Sequence, residues 1–111
     1  MKRSYLDHLD GVVSDTTFQD FEFAKMPAGK LFCLQHLSVS NTDDNSRVVH
    51  LGIRIGGHTH WFKTLVLTTK THYYTFENPI YFSTDYQIVV RASAWQATTH
   101  LHAVLFGYYV E

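Results

Sequence analysis

The sequence predicts an all-β fold, an antiparallel sandwich of two sheets with about eight strands. Residues 47–57, RVVHLGIRIGG, alternate strictly, so that Val49, Leu51, Ile53 and Ile55 share one face of a strand. Apolar runs of this kind recur along the chain between clusters of turn formers, at the spacing typical of a sandwich. The sequence contains neither a βαβ rhythm nor a glycine-rich phosphate loop.

The first 24 residues have the weakest strand pattern and hold five of the ten acidic residues. RSYLDHLD contains a helical repeat through Tyr5, Leu6 and Leu9, which is too short to form a stable helix alone. We therefore predict an arm with a first short strand over residues 1–24, ordered only against a partner. A β-sandwich domain is predicted over residues 25–111.

The next two strands are predicted to form a hairpin with a long loop. KLFCLQHLSVS and the alternating strand that begins at Arg47 are joined by NTDDNS, a cluster of turn formers. In the first of these strands, four apolar residues share one register: Leu31, Cys33, Leu37 and Val39.

A second pair of strands is predicted from HWFKTLVLTT and THYYTFE, which are rich in β-branched and aromatic residues. Pro79 closes this pair, and IYF follows as a separate short strand. YQIVVRASA alternates again, and HLHAVLFGYYV is the last strand.

Composition and charge limit the classes of function. Nine Lys and Arg against ten Asp and Glu form no basic stripe, so we expect no nucleic-acid partner. No segment resembles a signal peptide or reaches the length of a membrane span, so we expect no membrane contact. The single cysteine, Cys33, lies between apolar residues and is expected to be a buried thiol.

The eight histidines include two pairs with the spacing of metal ligands, His58 with His60 and His100 with His102. Residues two apart share a face of a strand, where two imidazoles can chelate a divalent ion. The spacing of Gly52, His58 and His60 also resembles the opening of the cupin metal motif, but the acid that this motif requires next is missing. We therefore predict no metal, no cofactor and no catalytic residue, with a cupin-like metal-binding protein as an alternative.

The last strand is apolar on both faces over its second half. A sandwich strand with one wet face should be polar at alternate positions. The second apolar face therefore lies either beneath the N-terminal arm or against another subunit. In the second case, six residues of the arm and the last strand are predicted to contact a partner: Tyr5, Leu6, Leu9, Phe106, Tyr108 and Val110.

Aromatic residues near the predicted turns support a different hypothesis. Trp61, Tyr74 and Trp95 are candidates for stacking on sugar rings, as in a carbohydrate-binding module. Core packing is the better interpretation for at least one of the two tryptophans, and contact with protein explains the same residues.

Three segments carry a resemblance to a known family: GKLFCLQHLSVSNTDDNSRVVHLGIRIGG, ENPIYFSTDYQIVVRASA and HLHAVLFGYYVE. Strand, polar turn and strand are followed by a Pro-led strand and a last strand that contains Gly-Tyr. Over residues 30–111 this order resembles the small jelly-roll-like capsid decoration, or staple, proteins of short-tailed bacteriophages.

The resemblance implies a jelly-roll-like sandwich and a non-enzymatic virion protein on the capsid surface. Such a protein binds the major capsid protein, clamps neighbouring coat subunits through many repeated contacts and associates with itself, here as an expected homodimer. A carbohydrate-binding sandwich of a phage tail or baseplate is the alternative that the aromatic residues favour.

Overall fold

The computed structural model describes residues 2–14, 16–25, 29–41, 47–67, 71–83, 86–95 and 97–110 and, for residues 41, 71–79, 82 and 83, the backbone alone. This part of the chain forms eight strands and no helix, which confirms the predicted all-β class. In chain order the strands are β1 (Lys2–Val12), β2 (Phe18–Glu22), β3 (Leu31–Asn41), β4 (Arg47–Ile55), β5 (His58–Leu67), β6 (Thr71–Ser83), β7 (Gln87–Ser93) and β8 (His100–Val110).

The strands form two four-stranded antiparallel sheets. The first sheet has the order β1-β8-β3-β6, and the second has the order β2-β7-β4-β5. Strand β1 pairs with β8, β2 with β7, β3 with β6 and β4 with β5, which is the pattern of one long hairpin rolled into two layers. This order is that of a jelly roll, so the predicted sandwich class is confirmed.

Two of the predicted hairpins are wrong. Strand β3 lies in the first sheet and β4 in the second, and β5 and β6 are likewise separated between the two sheets. Alternation along a strand indicates its buried face but not its neighbour, which in a jelly roll is often distant in sequence. Strands β4 and β5 do form a hairpin, because Gly56 and Gly57 adopt the positive φ angles, 58° and 82°, of a tight two-residue turn.

The strand break predicted at Pro79 is also absent, because β6 is continuous from Thr71 to Ser83. Strand β6 is an edge strand of the first sheet, where a proline without an N–H is tolerated. Pairing with β3 jumps from Leu34–Ile80 to His36–Thr75, so Pro79 lies in a bulge of the edge strand.

The same irregularity changes which residues of β3 face the core. The structure buries Phe32 and Leu34 before the bulge and Leu37 and Val39 after it, whereas Leu31 is 45% exposed. The predicted common register of Leu31 with Leu37 and Val39 is therefore wrong, because a bulge shifts the alternation by one residue. Cys33 is fully buried, as predicted.

The described residues of the N-terminal segment form strands of the sandwich, whereas the sequence predicted a separate arm. Strand β1 pairs with β8 along its whole length, from Lys2–Val110 to Val12–His100, and β2 pairs with β7. Tyr5 and Leu9 are four residues apart, a spacing that fits one face of a strand as well as one face of a helix. The apolar repeat of this segment therefore belongs to a strand.

The core lies between the two sheets and is filled by inward residues of both. Leu101, Ala103 and Leu105 of β8 are at most 1% exposed, as their alternation predicts. Trp95, which follows β7, is also 1% exposed, and its indole Nε1 donates a hydrogen bond of 2.9 Å to the Val48 carbonyl oxygen. The outward side chains of each sheet are not needed to fill this core and are therefore available for binding.

Candidate binding surfaces

The first sheet presents an exposed apolar surface, which we call the apolar face. On β1 and β8 the pairing places Leu6 beside Phe106, and these side chains are 63% and 40% exposed. Val104, also on β8, is 38% exposed, and Tyr81 on the edge strand β6 is 56% exposed. The apolar face consists of outward residues from all four strands: Leu6, Leu31, Tyr81, Val104, Phe106, Tyr108 and Val110.

The six predicted contact residues divide between the two sides of this sheet. Leu6, Phe106, Tyr108 and Val110 lie together on the apolar face. Tyr5 and Leu9 are a correction, since they point inward and pack against the core.

Tyr5 is part of the aromatic packing beneath β1. Its ring lies 5.4 Å from the ring of Phe32 in an edge-to-face arrangement and 6.2 Å from that of Tyr109. Burial raises the pKa of the Tyr5 hydroxyl, with smaller contributions from Asp7 and Tyr109.

The apolar face is not covered by the N-terminal strand. Because β1 lies beside β8 in the same sheet, it extends the face rather than burying it. Four strands about 4.8 Å apart and about eleven residues long, at about 3.3 Å per residue, present roughly 700 Å². Each partner in a stable protein–protein interface contributes about 800 Å². The whole outer side of the first sheet therefore has about the area of a protein contact, and the apolar face occupies part of it.

Polar groups border the apolar face at both ends. At one end the Lys2 ammonium lies 4.7 Å from the centre of the Tyr108 ring, and the Tyr108 and Tyr81 hydroxyls are 3.2 Å apart. The hydrogen bond with Tyr81 raises the pKa of Tyr108. At the other end His102 Nδ1 is hydrogen-bonded to Asp10 Oδ1. An apolar centre with a polar rim is the usual anatomy of a protein interface.

The second sheet presents a different surface, centred on Arg91 of β7. The guanidinium carbon lies 4.2 Å from the centre of the Phe18 ring on one side and 4.4 Å from that of the Trp61 ring on the other. Arg91 Nε and Nη2 donate hydrogen bonds of 2.7 and 3.1 Å to the two oxygens of Asp20. These hydrogen bonds raise the pKa of Arg91 despite its partial burial, so the cation between the rings is held in place.

Gly52 makes room for the stack, the arrangement in which Arg91 lies between the Phe18 and Trp61 rings. Strand β4 lies between β7 and β5, so the Trp61 side chain must cross β4 to reach Arg91. Gly52 pairs with Trp61, and a Cβ atom at this position would lie 2.7 Å from Cε3 of the indole. A residue with a side chain at position 52 would therefore push Trp61 away from its present position.

Next to the stack, Arg54 forms further ion pairs on the same face of the second sheet. Arg54 is paired with Glu22 and lies 3.9 Å from Asp20, and its Nε donates a 3.2 Å hydrogen bond to Thr59. Two arginines therefore face two carboxylates in this row, and their charges balance.

A pocket opens beside the stacked Phe18, Arg91 and Trp61 side chains. Its volume of about 360 Å³ is at the lower end of the range for ligand sites. His50 on its wall is held by a 2.9 Å hydrogen bond between its Nδ1 and the Thr64 hydroxyl oxygen. We call this site the stack pocket; it is lined by Thr17, Phe18, His50, Trp61, Arg91 and Ser93.

The predicted glycan-stacking residues do not form one surface. Trp61 is 38% exposed and lines the stack pocket, whereas Trp95 is sealed in the core, so its candidacy is a correction. The backbone of Tyr74 pairs with Leu37 in the first sheet, and its side chain lies outside the described residues. Sequence reasoning did not identify Phe18, His50 or Arg91, whose outward alternation on their strands was the available signal.

The two histidine pairs lie in different sheets. His58 and His60 belong to β5 of the second sheet, and His100 and His102 belong to β8 of the first. The last two rings are stacked at 6.1 Å. Among the residues that the structure describes, no group of three or more His, Cys, Asp or Glu is arranged to hold a metal ion.

Two comparisons with known proteins were negative. Neither the scan against protein-family models nor the search of curated proteins finds a match to this chain. Within the described ranges, no helix has the length and apolar character needed to cross a membrane. The fold and its surfaces define the chain as a jelly-roll β-sandwich.

Proposed function

We propose that this protein is a non-enzymatic structural protein that binds other protein chains through the apolar face of its first sheet. The observation that carries the proposal is the exposure of Leu6 and Phe106, which lie side by side on the edge strand β1 and its neighbour β8. Leaving this area in water is unfavourable, and burial against a partner removes that cost.

The resemblance of the sequence pattern over residues 30–111 to phage staple proteins suggests where such a contact would be made. In that case the protein is located on the capsid surface of a virion, where it binds the major capsid protein and clamps neighbouring coat subunits. The jelly-roll order is compatible with this role, and many modest contacts repeated over a lattice give strong total attachment.

Self-association as a homodimer is the second part of the proposal. Lys2 and Asp10 lie at opposite ends of β1, so two copies packed face to face with reversed strand directions bring opposite charges together. The formal net charge of −1 offers little resistance to association.

One substitution on each sheet tests the proposal. Phe106→Asp introduces a charge into the apolar face, and Val66→Asp introduces the same charge at a 52% exposed position of the second sheet. We expect Phe106→Asp to be monomeric in sedimentation and to lose attachment to phage particles prepared without this protein. Val66→Asp should behave as wild type in both assays.

Two results would contradict the proposal. A wild-type protein that is monomeric and does not bind the particles removes both parts. Retained dimerisation and particle binding by a folded Phe106→Asp variant would show that another surface makes the contacts.

A further inference from the structure

The stack pocket on the second sheet has a chemistry that the proposed protein contact does not use. We propose that it binds an uncharged sugar ring of an oligosaccharide. The ring would pack against the exposed Trp61 indole and the Phe18 ring, with hydrogen bonds from its hydroxyls to polar groups of the wall.

The pocket is assembled before any ligand arrives. Asp20 fixes the Arg91 guanidinium, which separates and orients the Phe18 and Trp61 rings at 4.2 and 4.4 Å. His50 is likewise oriented by Thr64. Fixed aromatic walls reduce the entropy lost on binding, which is a main cost of holding a flexible, strongly hydrated ligand.

The polar groups at the wall match hydroxyl groups. Arg91 uses Nε and Nη2 on Asp20, which leaves Nη1 as a donor for a ligand. The Ser93 hydroxyl and the His50 imidazole both donate and accept, depending on their protonation and rotation. Aromatic faces together with a few mixed donors and acceptors suit a sugar, which has an apolar C–H face and a polar rim.

The charge balance favours a neutral ligand over an anion. The positive charges of Arg91 and Arg54 are already matched by Asp20 and Glu22. A phosphate or an acidic sugar would have to approach these carboxylates, and the described residues that line the stack pocket include no unmatched Lys or Arg to compensate. The concave and ion-paired character of the site also differs from the apolar face, so a protein loop is the less favoured occupant.

The two tryptophans provide a direct assay. In a proton–nitrogen correlation spectrum the indole N–H signal of Trp61 reports on the pocket, whereas that of Trp95, buried and bonded to Val48, is an internal control. We would titrate maltotetraose, cellotetraose and chitotetraose into the full chain at millimolar concentrations, with oligogalacturonate as the charged probe. At least one neutral oligosaccharide should shift the Trp61 signal saturably and leave the Trp95 signal in place.

Three variants test the assignment to this pocket by calorimetry with the oligosaccharide that binds. Trp61→Ala and Phe18→Ala should each weaken affinity by up to about tenfold, since an aromatic contact contributes up to ~1.5 kcal/mol. Trp61→Phe keeps a ring and should weaken it less. Val66→Ala, at an exposed position of the same sheet, is the matched control.

Several outcomes would overturn the inference. They are the absence of any Trp61 shift, tighter binding of the charged probe, and unchanged affinity in folded Trp61→Ala. Binding of a protein from phage particles that Trp61→Ala abolishes, without sugar binding, would also overturn it. Phe106→Asp should retain sugar binding and Trp61→Ala should retain dimerisation, so failure here is separable from failure of the proposed function.

Discussion

On the first sheet the outward positions of β8 hold Val104, Phe106 and Tyr108, whereas on the second sheet the outward positions of β7 hold Arg91 and Ser93. The two strands occupy equivalent places, each second in the order of its own sheet. The outward residues of β8 are themselves apolar or aromatic, whereas Arg91 on β7 lies among ion pairs and aromatic rings.

This difference shows that position in the jelly roll does not determine surface chemistry. The inward residues of both strands serve the same core, and the fold is satisfied once they are buried. The outward residues are free to specialise, so each face must be interpreted from its own side chains. Here we interpret the first face as a protein contact and the second as a small-ligand site.

The sharpest test of the apolar face compares two adjacent residues of β8. Leu105 is fully buried and Phe106 is 40% exposed. Leu105→Ala should reduce the free energy of unfolding by about 3 kcal/mol, because it leaves a cavity in the core. Phe106→Ala should cost less than about 1 kcal/mol in the monomer, because its ring already contacts water.

Urea unfolding at several protein concentrations measures both effects. Phe106→Ala should also reduce the dependence of stability on protein concentration, which reports the dimer. Equal losses for the two variants under dilute, monomeric conditions would mean that Phe106 is packed inside, and the distinction between the two faces of β8 would fail.

An intermediate effect is expected from the carboxylates of the two sheets. Asp20 and Arg91 are 23% and 28% exposed, so Asp20→Asn weakens a shielded two-point hydrogen-bonded pair and should cost about 1–2 kcal/mol. Asp10, paired with His102 on the first sheet, is 60% exposed. Asp10→Asn should therefore remain within about 0.5 kcal/mol of wild type.

Chemical denaturation of both Asp→Asn variants at neutral pH provides the measurement. Asp20→Asn should in addition weaken oligosaccharide binding, because Arg91 would no longer hold the two rings in place. If Asp10→Asn is the more destabilising of the two, the ion pairs do not distinguish the sheets as described.

Local patterns in the sequence predicted the strands better than their partners. The alternation in β4, β7 and β8 indicated their buried faces, because burial of one face of a strand imposes a period of two. The neighbour of each strand depends on pairing between distant segments, such as Lys2 with Val110, which leaves no local trace. The bulge opposite Gln35 also escaped prediction, although it decides that Phe32 rather than Leu31 is buried.

The second site was less predictable for the same reason. Phe18, Trp61 and Arg91 come from three strands, and Trp61 reaches Arg91 only by crossing Gly52 on a fourth. Trp61 alone was identified, since an aromatic residue near a turn is visible locally. Phe106, Tyr108 and Val110 alternate along one strand, so the sequence indicated that they share a face, and their contact with a partner stays a prediction.

The smallest expected effect compares the inner and outer sides of β1. Tyr5 lies beneath the sheet, and its pKa is raised above the ordinary value of 10.0 mainly by burial. A raised value means that the folded state keeps the neutral hydroxyl, so its contribution is complete below about pH 10 and is lost as the pH rises towards the folded pKa.

As the pH rises from 7 into the alkaline range, the free energy of unfolding should therefore fall less for Tyr5→Phe than for wild type. The difference should be absent below about pH 9, where tyrosine is neutral in both states. Leu6→Ala, on the outer side of the same strand, should leave the alkaline slope unchanged. The pKa of Tyr108 is also raised, so some alkaline loss should remain in Tyr5→Phe. An alkaline slope identical to wild type would indicate that Tyr5 is not held neutral beneath the sheet, and the inward assignment of this residue would fail.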